Sequence, residues 1–461
     1  MTDFFRKHKI VVIIFALALI ARAALFFINL DANGGNFEET VHGSDWYFEV
    51  AKNLEAGEGF AIFAGEPSAI HVPLYPLFLF FSLFLFGNFA FAVVVQVIIG
   101  SIIPVLGKIV AFKIVPSEKI SLLVGFFLAL EPNFVLFSSI FFTETLFIFI
   151  FLLFFIAFLT YFKNTDARFL ALSALLLGMA TLIKTVTQFL PIILLPLLWW
   201  FVRKKLPIKT VFLHFGLFAV VFVLVLSPWL YRNYKVFGAP GMTIMPTLNL
   251  YATLVPSVLS VENGTSFNEA RDAFLKQTGV DLKTLTFANA SDFNKEAFGE
   301  LWQNKLSFIK VSAVNIFTFF THDGMLTVLE NAGITPERYL SRSALELFFF
   351  SPVQFAKTVY QYIFSPFVLV LVMRLFWLLV TALFLVGTIL LLRRKMFTVS
   401  VALSLATVLY FAGTTPSNGL TVNARFRMPV YPIILTIALY SVFERKRQKD
   451  DYSSLNPVST K

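Results

Sequence analysis

The stretch HGSDWYFEVAKNLEAGEGF, residues 42–60, puts Asp45, Glu49 and Lys52 close together beside His42, in a chain of which only 14% is charged. A carboxylate held in such a setting can take a proton from a hydroxyl. Cations recur at the ends of apolar runs: Arg22 in the first run, Lys184 in GMATLIKTVTQFLP, Arg232 after SPWLY, and Arg425 and Arg427 in ARFRMPVYP. Glu144, in SSIFFTETLF, is a second carboxylate in an apolar context. Such groups are expensive inside lipid and usually pair with a charge or face a cavity. Arg presents a planar fork and Lys a point charge to an anion such as phosphate. If these residues share one level of the molecule, the chemistry they suit is removal of a proton beside a phosphate on which negative charge develops.

The elements that position them are apolar helices. The chain has 461 residues, 58% of them hydrophobic, with 59 Phe. It repeatedly supplies runs of the length a hydrocarbon layer requires. The composition predicts an all-α polytopic membrane protein with spans near 10–29, 88–113, 119–137, 143–162, 168–185, 186–202, 210–230, 366–392, 397–413 and 430–443. Ile10–Leu30 is too long for a signal-peptide core and lacks a small-residue cleavage site, so it is expected to be a retained helix. With no Cys there is neither a disulfide nor a thiolate metal site. About ten spans (ten to twelve) put both termini on one side, expected to be cytoplasmic. More than half of the 37 basic residues fall in the short loops and tail of that side, as the positive-inside rule requires. The net charge of +10 therefore reads as topology, and no basic patch with interleaved aromatics suggests nucleic acid.

Two segments are expected on the outer face of one membrane-embedded domain. Residues 29–73 hold eight acids against the single cation Lys52, and LYPLFLFFSLFLFG (74–87) is too short to span, so 29–87 reads as an acidic loop with interfacial helices. Residues 232–365 balance acids and bases; SFIKVSAVNIFTFF and LELFFFSPVQFAKTVYQYIF within them read as interfacial helices or one extra hairpin over 306–362. The tail, 446–461, is expected to be disordered. In the first loop, Gly43 or Ser44 should cap a helix whose first turn holds Asp45, with Trp46, Val50 and Leu54 on one face and Asp45, Glu49 and Lys52 on another.

For Glu38, Glu39, Glu55, Glu58 and Glu66 a solvated face is the better reading, and for Arg22 snorkelling competes with a cavity. His42, Asp45 and Glu49 supply too few converging oxygens to suggest a metal, and no cofactor is expected. The matches to glycosylation acceptors at Asn263 and Asn289 carry little weight. The remaining ionisable residues gather at the outer ends of spans, against the topology rule, and a buried anion explains them. An anion reaching that level from lipid is most simply a lipid phosphate. Cations on a leaving phosphate and a carboxylate base, Asp45, describe sugar transfer from a polyprenyl phosphate carrier.

The blocks DWYFEVAKNLEAGEGF, HVPLYPLFLF, LEPNFVLFSSIFFTETLF, GMATLIKT, SPWLYRNYKVFG and RFRMPVYPIIL, in this order, resemble the bacterial membrane glycosyltransferases of the GT-C superfamily, the group related to protein mannosyltransferases and lipid A aminoarabinose transferase. The resemblance implies a multi-helix core, an outer active site, a polyprenyl-phosphate sugar donor and anomeric inversion. It implies Asp45 as the catalytic carboxylate, with Glu49, His71, Tyr75 and Glu144 lining the site. Lys184, Arg232 and Arg425 or Arg427 would bind the donor phosphate, and Arg22 joins them from the residue reading. No Asp-Asp or Asp-Glu pair flanks Asp45, unlike the protein mannosyltransferases. The acceptor, whether lipid, glycan or protein, stays open. So do two other functions: a flippase for polyprenyl-linked glycans, which should carry charges at the midplane of repeated helices, and a polysaccharide polymerase or ligase, which should keep its cations in the later loop.

Overall fold

A computed structural model describes residues 2–43, 45–280, 282–335, 351–394 and 398–443, with the backbone alone for 2–8 and 283. The described residues are helical and contain no β-strand. The first half comprises α1 (Thr2–Ala32), α2 (Phe37–Val41), α3 (Tyr47–Glu55), α4 (Leu74–Phe86), α5 (Ala90–Ile114), α6 (Glu118–Leu130), α7 (Pro132–Leu136), α8 (Glu144–Asn164), α9 (Ala167–Ile183), α10 (Leu190–Val202) and α11 (Ile208–Phe237). The second comprises α12 (Met245–Asn249), α13 (Val255–Asn263), α14 (Phe267–Thr278), α15 (Ala290–Gln303), α16 (Lys305–Thr321), α17 (Met325–Asn331), α18 (Pro352–Ile363), α19 (Val368–Arg393), α20 (Val399–Thr414) and α21 (Tyr431–Phe443).

Seven of the described helices are long and apolar enough to cross a membrane, lying in α1, α5, α8, α10 with the turn before it, α11, α19, and α20 with the turn after it. The other three expected spans form as shorter helices: α6 and α21 of 13 residues and α9 of 17. The run 119–137 is broken. Glu131, which precedes Pro132, is extended (ψ 124°) because the proline ring disfavours a helical conformation in the residue before it. The Glu131 carboxylate then accepts from Phe134 N at 2.9 Å and starts α7.

α8 lies at the centre. Phe147, Phe151, Phe154, Phe155 and Phe158 are fully enclosed, packed among α5, α9 and α20. The flanking α10 and α11 instead expose Ile192, Phe212, Leu213 and Leu224, the kind of surface that hydrocarbon covers. α4, about 20 Å long at 1.5 Å per residue, packs on α3 through Tyr75 and Leu79. A second core, around Tyr251, Phe274, Phe293, Leu301 and Val311, organises the later outer segment and takes in Ala69 from the first. Ile244 N donates to Ala69 O at 3.0 Å, which ties the two segments together. Over 306–362, neither α16 nor α18 is among the described helices long and apolar enough to cross a membrane. Residues 336–350 of that stretch and the tail 446–461 lie outside the described residues.

Candidate active site

The site begins with a close approach. Phe141 N donates to Val41 O at 2.8 Å, and this brings Val41 and Gly43 against the segment before α8. A Cβ on Gly43 would lie 2.2 Å from the Phe141 carbonyl oxygen, so only glycine passes there. Trp46 then adopts a left-handed conformation (φ 55°, ψ 17°) and α3 starts at Tyr47. Asp45 therefore precedes the helix, contrary to the expected first-turn position. It shares no face with Glu49 and Lys52. A left-handed non-glycine residue costs on the order of 1–3 kcal/mol, a strain found disproportionately at functional sites.

Freed from the helix, the Asp45 carboxylate meets Arg425, whose Nη1 donates to Oδ2 at 3.1 Å. Arg425 Nε lies 4.0 Å from Glu144 Oε1, and that same oxygen accepts from Lys184 Nζ at 2.8 Å. Thr143 Oγ1 donates to the other Glu144 oxygen at 3.3 Å. The result is an alternating chain, Asp45, Arg425, Glu144, Lys184, with Glu144 only 2% exposed. Removing Lys184 would strip the buried Glu144 of its closest counter-charge, at roughly 3–5 kcal/mol. Local structure sets each cation. Lys184 is extended (φ −150°, ψ 115°) where α9 stops. Arg425 opens from a 3-10 turn over Ala424–Phe426, begun by the Asn423 side chain accepting from Arg425 N at 3.1 Å.

Aromatics pack behind the carboxylates. The Tyr47 ring lies 4.5 Å from His71 and 5.0 Å, edge-on, from Tyr75, centroid to centroid. Tyr75 OH donates to Gln96 Oε1 at 2.6 Å. Burial, reinforced by Asp45 and Glu144, raises the Tyr47 phenol well above its ordinary range, so it stays a donor. His71 hydrogen-bonds the backbone of Asp45, and burial lowers its pKa to about 4 against the pull of Glu49 and that bond. The ring is neutral at neutral pH, with Nε2 buried and without a partner among the described residues.

These groups open on a cavity of about 570 Å³. Asp45, Glu144, Lys184 and Arg425 form its charged floor. The lining also includes the apolar Phe147, Ile148, Phe189, Phe411 and Pro429 and the amides Gln188, Asn249, Asn418 and Asn423. A second cavity of about 330 Å³ shares Asn423 and Arg425 with the first and is lined also by His42, Asn133, Phe142 and Asn331. Among the described residues no three His, Asp or Glu side chains are grouped to hold a metal.

Asp45, His71, Glu144, Lys184 and Arg425 line the larger cavity; Tyr75 stands just behind it. Four other candidates are used elsewhere. Arg22 is fully buried and bonds Ser138 Oγ at 3.1 Å and the carbonyls of Ala18 and Ala129, tying α1 to α6 and α7 rather than snorkelling. Arg232 bonds the carbonyls of Ser68 and Phe60, between the rings of Phe60, Trp229 and Phe237. Arg427 donates to the carbonyls of Phe319 and His322 at 2.8 and 2.7 Å, with its guanidinium 3.8 Å over Trp377. Glu49 accepts from His42 Nε2 at 3.0 Å when that nitrogen carries the proton. Sequence reasoning missed Tyr47 and the amides. Tyr47 stands two residues from Asp45 and was legible as a neighbour, whereas isolated Asn and Gln in polar loops give no signal.

No protein-family model matches the sequence, and no curated protein does. Among solved structures, the chain is similar to the archaeal oligosaccharyltransferase AglB of Archaeoglobus fulgidus, solved in complex with an inhibitory peptide and a dolichol-phosphate. The TM-score is 0.51 at 13% identity, over 99% of this chain and 53% of that one. The chain thus spans about half the length of that structure. It is a membrane protein with the GT-C fold that the resemblance implied.

Proposed function

We propose that the protein is a membrane glycosyltransferase that moves a sugar from a polyprenyl-phosphate carrier to a hydroxyl-bearing acceptor at the outer face of the cytoplasmic membrane. The observation that carries this reading is the alternating chain of charges at the floor of a cavity with a partly apolar lining. The apolar lining suits a prenyl chain, and Lys184 and Arg425 suit its phosphate.

In the proposed reaction the acceptor oxygen attacks the anomeric carbon from the face opposite the phosphate. Asp45 takes the acceptor proton as the new C–O bond forms. The bond from the anomeric carbon to the phosphate oxygen breaks, and its electron pair leaves with the polyprenyl phosphate, where Lys184 and Arg425 meet the developing charge. One displacement inverts the anomeric configuration. Arg425 lines both cavities, which supports entry of the acceptor from the smaller one.

The test is sugar release from radiolabelled polyprenyl monophosphate sugars by the purified protein in lipid, comparing the wild type with Asp45→Asn. Turnover should fall by roughly 10²–10⁴ in the variant while donor binding persists. Movement of the carrier between leaflets with no glycosidic bond made or broken would replace the reading with transport.

A further inference from the structure

The amides that line the larger cavity have spare hydrogen-bonding capacity and no charge. Asn249 Nδ2 donates to Asn418 Oδ1 at 3.1 Å and the Asn423 oxygen receives Arg425 N, and among the described residues no hydrogen bond engages the Asn249 oxygen or the Asn423 NH₂. Among the described residues no hydrogen bond engages the Gln188 side chain. Side-chain amides both donate and accept, as hydroxyls do. Two of them also flank the cations: Asn423 lies two residues before Arg425, and Gln188 one 3-10 turn beyond Lys184.

The amides are rigidly held. A π-helical turn, Leu250–Leu254, follows Asn249, and π turns often mark functional sites. Over it lies the 415–421 strap, where Gly419 takes φ 52° and ψ −152° and where a Cβ would sit 2.3 Å from Ser257 Oγ and 2.6 Å from Thr253 O, so that both the angles and the space call for glycine. Ser257 Oγ donates to Thr253 O at 2.7 Å and accepts from Leu420 N at 2.9 Å.

We infer that Gln188, Asn249 and Asn423 read the sugar of the donor, and that this sugar is uncharged, a neutral hexose or pentose rather than a uronic acid or an amino sugar. The inference rests on the proposed donor class and adds its specificity. The four charged side chains of the cavity are paired with one another, and the proposed reaction commits Lys184 and Arg425 to the phosphate and Asp45 to the acceptor. A carboxylate or ammonium on the sugar ring would lose its water with every charge of the cavity already committed, an unfavourable transfer, whereas hydroxyls are matched by the amides.

The experiment measures binding to the full-length protein in lipid of four probes: bare polyprenyl phosphate and the same carrier bearing glucose, glucuronate or an amino pentose. Wild type should bind the glucosyl carrier about ten-fold more tightly than the bare carrier and than either charged-sugar carrier, the factor that one unmatched buried hydrogen bond carries. Gln188→Met, which removes the amide without adding a charge one turn from Lys184, should abolish the advantage of glucose and leave bare-carrier binding within about two-fold, which also reports that the variant is folded. Equal binding of bare and glucosyl carriers, or preference for a charged sugar, overturns the inference and leaves the proposed function standing. Binding of no carrier overturns both.

Discussion

Arg425 and Arg427 stand two residues apart in one apolar block and have opposite surroundings. Arg425 faces two carboxylates across a cavity, and its side chain keeps 26% of its exposure. Arg427 is completely enclosed, its guanidinium spent on two backbone carbonyls, a tyrosine hydroxyl and the face of Trp377. Three 3-10 residues turn one inward and the other outward. A cation in an apolar run thus carries two meanings, and what lies opposite decides between them. A carbonyl is a fixed partner that holds helices together, whereas a carboxylate beside a cavity leaves a charge that a ligand can share.

The sharpest way to break this comparison is to remove each charge while keeping the volume. Arg425→Met should lower sugar turnover by about 10²–10³, the scale of losing one stabiliser of developing charge, while the thermal midpoint falls less than in Arg427→Met, because the buried Glu144 keeps Lys184 at 2.8 Å and the Asp45 side chain is 32% exposed. Arg427→Met should do the reverse: the Phe319 and His322 carbonyls lose their donor, at about 1–3 kcal/mol for each buried group, so the midpoint falls. Turnover per folded molecule should hold. If Arg427→Met stops turnover in a fully folded protein, the division between staple and site fails.

A smaller effect is expected at Gly43, where the contact is backbone to backbone. Gly43→Ala must displace the Phe141 carbonyl, at a cost of about 1–3 kcal/mol, and must shift Asp45 two residues on, so turnover should fall about ten-fold for a carboxylate moved by a fraction of an ångström. Gly216→Ala, in α11 with nothing within 4 Å, is the control and should match the wild type. Equal behaviour of the two variants would show that the backbone at Gly43 tolerates movement and that Gly43 does not position the carboxylate.

The spans were legible because an apolar run of some 20 residues has few other uses. Where the runs were shorter or interrupted, legibility stopped: the break at Glu131 turned on a single residue before a proline. Asp45, Glu144, Lys184 and Arg425 were legible because charge in an apolar context is costly. The same cost argument also pointed to Arg22, Arg232 and Arg427, since composition does not reveal whether carbonyls or a cavity lie opposite. The left-handed turn at Trp46 was out of reach. Tryptophan has no preference for that conformation, and no residue type around it announces the turn.

His71 gives the smallest and most specific effect, because it sits in the site without carrying charge there. Its folded pKa, about 4, is below the ordinary 6.5, so the folded protein binds fewer protons at this ring than the unfolded chain does. The contribution is therefore complete above about pH 6.5 and is lost as the pH falls through the window down to about 4. In that window the unfolded ring charges while the folded one resists. His71→Gln, which cannot take the proton, should flatten the fall of the thermal midpoint across that range and leave the midpoint above pH 7 nearly parallel to that of the wild type. An unchanged acid slope in the variant would mean that the ring protonates freely inside the fold. Its orphaned Nε2 would then be open to water, and the pocket behind Asp45 would be wetter than the enclosed stack of Tyr47, His71 and Tyr75 implies.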